Sequence, residues 1–131
     1  MKPLPTHHAL DIGCDPELFV SHAVGKVRKR RAVVSSEAIL PPNDPQKHQS
    51  LVRDGVQIEL HPTQSWCRAN LSNNLQSCFR QLHIAVNAAS KRLELPLEVD
   101  FRSVIRLSKG DLAKMSPDSR RLGCQPSKNV Y

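Results

Sequence analysis

The feature that most constrains the fold is a change of hydrophobic period along the chain. Between positions 64 and 93, "QSWCRANLSNNLQSCFRQLHIAVNAASKRL" places Leu71, Leu75, Cys78, Leu82, Ala85, Ala89 and Leu93 three or four residues apart, with Cys67 and Phe79 beside that stripe. Only a helix gathers such residues onto one face. Thr63 or Ser65 suits its start as a cap, and Lys91 and Arg92 suit the negative end of its dipole. On both sides the period falls to two. In "LVRDGVQIELHPT", Val52, Val56, Ile58 and Leu60 share one strand face, and Gln57, Glu59 and His61 share the other. Asp54-Gly55 marks a tight turn or bulge at that strand's start, and Pro62 marks its end. In "LPLEVDFRSVIRL", Leu97, Val99, Phe101, Ile105 and Leu107 face inward, while Glu98, Asp100, Arg102 and Arg106 face the other way. These patterns predict an α+β fold, an antiparallel sheet containing 51–61 and 97–107 with one long helix packed on one face.

The flanking segments fill out that scheme. Residues 8–20 and 27–34 read as a hairpin turning at "SHAVGK". Its first strand is interrupted by "GCDPE", where Gly13 relaxes the backbone and Pro16 removes a ladder hydrogen bond, so the strand is expected to bend. "SSEAILPPNDPQKHQS", at 35–50, is too proline-rich for a helix and reads as a long loop, a flexible or functional flap. Ser108 and Asp111 form a capping-box pattern that opens a short helix through Met115. The remaining residues are irregular and end on a second Gly-Cys-x-Pro turn, in "LGCQPSKNVY".

At 131 residues the chain is expected to form a single domain with one core. Aromatic residues make up only 4%, so that core rests on Leu, Val, Ile and Ala. No apolar run approaches the roughly 20 residues that span a bilayer, and "MKPLPTHHAL" lacks the apolar centre of a signal peptide. A cytoplasmic protein without a membrane segment is the expectation. The four cysteines, Cys14, Cys67, Cys78 and Cys124, include no Cys-x-x-Cys pair, which disfavours a zinc site and leaves free, buried thiols. A net charge of +7 suits an anionic partner. Apart from "KVRKRR" the basic residues are scattered, and there is no aromatic ladder for stacking bases, so a basic nucleic-acid-binding module ranks third among the functional readings.

The acidic residues raise a sharper question. Asp15 and Glu17 flank the bend, Glu59 and His61 share a strand face, and Asp54 lies nearby in sequence. Acids on the open face of a half-covered sheet are ordinarily just solvated. If the strands are neighbours, however, the same residues form an oxygen-rich cluster of the kind that binds magnesium.

The order of "IGCDPELFV", "VRDGVQIELHPT", a long helix, an alternating strand and "LGCQPSKNVY" resembles the phage carboxylate–amine (COOH–NH2) ligases of type 2. That group is related to glutamine synthetase-like and glutamate–cysteine ligase enzymes, and the likeness runs from about residue 9 to the end. The resemblance implies an antiparallel sheet serving as a partial glutamine synthetase-like catalytic platform for magnesium and ATP. It implies Glu17 and Glu59 as metal ligands, with Asp15, Asp54 and His61 in support. The implied chemistry is phosphorylation of a carboxylate by ATP, followed by attack of an amine on the acyl phosphate. Members of the group carry later strands with a His-x-His segment and further basic residues, and an acid where this chain has Gln125. With Tyr131 as its last residue, the chain is expected to resemble the N-terminal half of such an enzyme. The expectation is a shortened, phage-type form that binds a partner protein or itself through an open sheet edge. The alternative is an active ligase completed by additional sequence or by another subunit.

Overall fold

A computed structural model of the chain describes residues 12–26 and 30–121. Its elements run β1 (Glu17–Val24), β2 (Arg30–Val34), a 3-10 turn (Ser36–Ala38), β3 (Leu51–Asp54), β4 (Gln57–Leu60), α1 (Arg68–Leu93), β5 (Glu98–Asp100) and α2 (Lys109–Ala113). All pairings are antiparallel, and β1 is the hub. It meets β4 through residues 17–18, β5 through 19–21 and β2 through 20–24, while β3 pairs with β4. Five antiparallel strands with one long helix give the α+β architecture that the change of period predicts.

The helix buries Cys78, Leu82, Val86 and Ala89 against Leu18 and Val20 of β1, Ile58 and Leu60 of β4, and Leu97. A fully buried aliphatic side chain contributes about 1.5–3 kcal/mol, so this layer is the main source of stability. The stripe is rotated slightly from the expected one. Val86 takes the central place beside Ala85, Leu71 and Leu75 are only partly buried, and Leu93 is exposed at the helix end. The helix also starts four residues later than expected. Ser65 pairs with Ile12 in an isolated bridge, which holds 63–66 out of the helix. Neither Thr63 nor Ser65 is the cap: the N-cap position is Cys67, and the Ser65 hydroxyl instead accepts from the Cys67 amide at 3.1 Å.

Three further expectations change. The strand expected over 51–61 is a hairpin, because Asp54 pairs with Gln57 and leaves Gly55 and Val56 as a two-residue turn. Gly55 has φ 55° while Val56 does not turn positive, the glycine-first pattern of a type II′ turn. The turn sends Val56 to the opposite side from Ile58 and Leu60, into a second cluster with Val33 and Met115. The strand expected over 97–107 stops at Asp100, because the Asp100 carboxylate accepts from the Arg102 amide and guanidinium and folds the chain back. Phe101 is therefore exposed, touching Phe79 at 6.1 Å between ring centroids, while Ile105 and Leu107 pack on the second cluster. The face away from α1 is thus partly covered by 105–119 instead of lying open.

The proline-rich segment 35–50 is tied down. Ile39 and Leu40 are buried in the main core. The Asn43 side chain bonds both the amide and the carbonyl of Arg53, each at 2.8 Å, and so occupies outward backbone groups of β3. Arg53 in turn donates to the carbonyls of Leu40 and Glu37. The capping box expected at Ser108 and Asp111 is present, although α2 ends at Ala113 and leaves Met115 just beyond it, buried. Cys14, Cys67 and Cys78 are free thiols, and only Cys78 is fully buried. Cys124 and the "LGCQPSKNVY" turn lie outside the described residues, as do 8–11 and 27–29 of the expected N-terminal hairpin.

Candidate functional site

Glu17 is the first residue of β1 and stands directly across from Glu59 of β4. The preceding pair fixes the geometry. The Leu60 amide donates to the Pro16 carbonyl at 2.9 Å, and Pro16 has no N–H to return the bond. Pro16–Leu60 is therefore a hydrogen-bonded pair, and the next pair along, Glu17–Glu59, is the narrow non-hydrogen-bonded kind, with Cα atoms roughly 4.5 Å apart and side chains on one face. The bend before β1 does deliver Glu17 to the face of Glu59. Gly13 serves there by its size: a Cβ would meet Cγ of Gln64 at 3.1 Å.

Two like charges directly opposed in a sheet are destabilising unless something offsets them. Glu59 is buried and finds His61, whose Nε2 lies 3.2 Å from Oε1. Glu17 carries a pKa raised above the ordinary carboxylate value, first by partial desolvation, then by the charges of Asp54 and Glu59, against a lowering bond from Gln57. Asp54 sits at the hairpin end of β3, and its Oδ2 is buried without a hydrogen-bond partner. Asp15 adds a smaller unfavourable charge to Glu17. All five acidic and histidine residues singled out from the sequence therefore lie in one neighbourhood.

Two adjoining clefts open there, sharing His48 and His61. One, of about 890 Å³, is lined by Gly13, Cys14, Asp15 and Pro62–Gln64 as well as the two histidines. The other, of about 750 Å³, lies between the proline-rich segment, the β3–β4 hairpin and residues 118–121, with Glu59 and Asp54 in its wall. Both have the size of small-molecule sites. Asn43, Asp44, Lys47 and His48 line the second cleft from a loop with no periodic signal, and Ser119 and Arg121 line it from the far end of the sequence. Sequence reasoning missed them for that reason. Only the loop's length and proline content pointed there.

The residues do not make a ready magnesium and nucleotide site. No three His, Cys, Asp or Glu side chains among the described residues are placed to hold one metal ion. Two of the cations beside the cleft are engaged, Arg53 by backbone carbonyls and Lys47 by Asp44 at 3.4 Å, while Arg121 also lines its wall. Glu37 is spoken for too, its pKa lowered first by the Ser116 hydroxyl, which donates to it at 2.7 Å. No step through magnesium or ATP follows from this arrangement. Comparison with known proteins finds no matching family model, no similar curated protein and no similar solved structure. No helix among the described residues is long and apolar enough to cross a membrane.

Proposed function

We propose that the chain is a relative of the carboxylate–amine ligases that retains their acidic sheet platform and works by binding a protein partner. The observation that carries this reading is the direct cross-strand opposition of Glu17 and Glu59, an arrangement a sheet adopts at a cost and that the resembled family would use to hold magnesium. Binding is favoured over catalysis because no set of three ligands forms among the described residues and two neighbouring cations, Arg53 and Lys47, are already engaged. The partner, a phage or host protein of the cytoplasm, would add to a strand that pairs on one side only, β2 being the longest of these. One observation favours the alternative of an active ligase completed by further sequence or another subunit. The buried, unpartnered Asp54 Oδ2 beside the two glutamates is the kind of orphan a cation would satisfy.

Isothermal titration with magnesium and ATP separates the two. For the binding protein, wild type, Glu17→Gln and Glu59→Gln all give no saturable heat at millimolar ligand. Saturable binding by wild type that both variants lose would replace this reading with the ligase.

A further inference from the structure

The positive charge of this chain is concentrated in two stretches. Residues 26–31 and 101–121 together hold eleven of the nineteen Lys and Arg residues but two of the twelve Asp and Glu residues. They are distant in sequence, yet the fold brings Arg30 and α2 together. Arg30 of β2 meets Asp111 of α2 at 2.9 Å, which sets α2 against the end of the β1–β2 hairpin. Arg31 reaches Glu98 of β5 at 2.7 Å and donates to the Ser21 hydroxyl at 3.0 Å; Ser21 donates to Asp100, which holds Arg102. Polar contacts of the adjacent Arg30 and Arg31 thus tie β2 to α2 on one hand and to β1 and β5 on the other.

Those bonds consume the acids on this side. Asp111, Glu98 and Asp100 each have an arginine, and the Asp100 pKa lies well below the usual carboxylate range, chiefly through Arg102. Lys26, Arg106, Lys109 and Lys114 remain, all exposed and without an ion-pair partner among the described residues. The acid cluster around Glu17 lies at the opposite end of β1 from Arg30, so charges of the two signs are separated along that strand, although Arg121 lines the acidic cleft. A surface that gathers like charge and spends its acids on fixing arginines costs stability unless a polyanion meets it.

We infer that the face built from the β1–β2 hairpin, α2 and the 101–106 segment binds the phosphate backbone of nucleic acid without reading its sequence. This goes beyond the proposed partner binding and uses different residues. Phosphate contacts of Lys and Arg suffice for such binding and need neither an aromatic ladder nor a groove-reading helix. A solvated charged face with no partner would carry the same charges, and an acidic protein is the competing polyanion.

The test is fluorescence anisotropy with a labelled duplex of mixed sequence, titrated across salt from about 50 to 200 mM. Wild type should bind, with affinity falling steeply as salt rises. Arg106→Gln/Lys109→Gln/Lys114→Gln should weaken binding at least tenfold and flatten the salt slope by about 2–3, near 0.9 for each phosphate that is no longer neutralised. Arg80→Gln/Lys91→Gln, on exposed positions of α1, should change neither. If circular dichroism shows the triple variant unfolded, Lys114→Gln alone must still weaken binding and flatten the slope. Absence of wild-type binding at the lowest salt overturns the inference, as does equal loss in the α1 variant. Polyglutamate bound as tightly as the duplex would assign the face to acidic protein instead.

Discussion

Glu17 shows how much a single register position decides. Its motif places it where a strand begins, and the alternation in "GVQIEL" places Glu59 away from the core, so the position of the first and the face of the second were legible from sequence. Their direct opposition was not, because it depends on which strand β1 pairs with and in what register. The consequence is a pH-dependent strain. The unfolded value for a glutamate is about 4.3, and the folded value lies above it. A raised acid favours the protonated fold, so stability from this residue is fully present below the unfolded pKa and is lost as pH rises through the folded one. Glu17→Gln should therefore raise the melting temperature at neutral pH and leave it unchanged near pH 3.5, about a unit below the ordinary glutamate value. Thermal melts of both proteins at the two pH values provide the check. An equal gain at both would mean the charge was never the cause. Asp100 has the opposite sign, since its lowered pKa contributes stability above the unfolded value and loses it in acid.

At the scale of elements, periodicity was reliable wherever packing alone set the structure. It located α1 and the middle of its buried face, Cys78, Leu82 and Ala89, because helix burial follows from spacing. It failed where a local polar bond competes with the ladder. Asp100 ends β5 early by capturing Arg102, Ser65 delays α1 by pairing with Ile12, and Gly55 converts one expected strand into two. The end of α1 holds a weakness that spacing does not reveal. Glu94 sits in the left-handed region at φ 53°, where a side chain is strained and glycine is favoured. Glu94→Gly should stabilise the protein by about 0.5–1 kcal/mol despite the greater freedom glycine gains on unfolding. Leu82→Ala, at the fully buried centre of the same helix, should cost about 2–5 kcal/mol. Urea denaturation of the two variants measures both, and a destabilised Glu94→Gly would show that the Glu94 side chain contributes more than its backbone costs.

At the scale of the whole molecule, the separation of charge makes two kinds of association respond oppositely to salt. Nucleic-acid binding depends on releasing counterions and weakens as salt rises. Pairing of β2 with the β2 of a second copy would place Arg30 and Arg31 of one basic edge against those of another, and edge arginines of this kind discourage such contact. The molecule's charge of +7 adds to that repulsion. Screening shortens its reach from about 10 Å at 0.1 M salt to about 3 Å at 1 M. Self-association should then be undetectable at low salt and appear as salt rises, whereas an acidic partner strand would bind best at low salt. Sedimentation velocity at about 100 μM protein, across the same salt range, reads the first. Hydrogen exchange adds the location: the dimer should protect amides in 30–34 beyond their protection in the monomer. A dimer that forms at low salt and dissolves as salt is added would mean that opposite charges hold it, pairing the acidic side of one copy with the basic side of the next and leaving the β2 edge free.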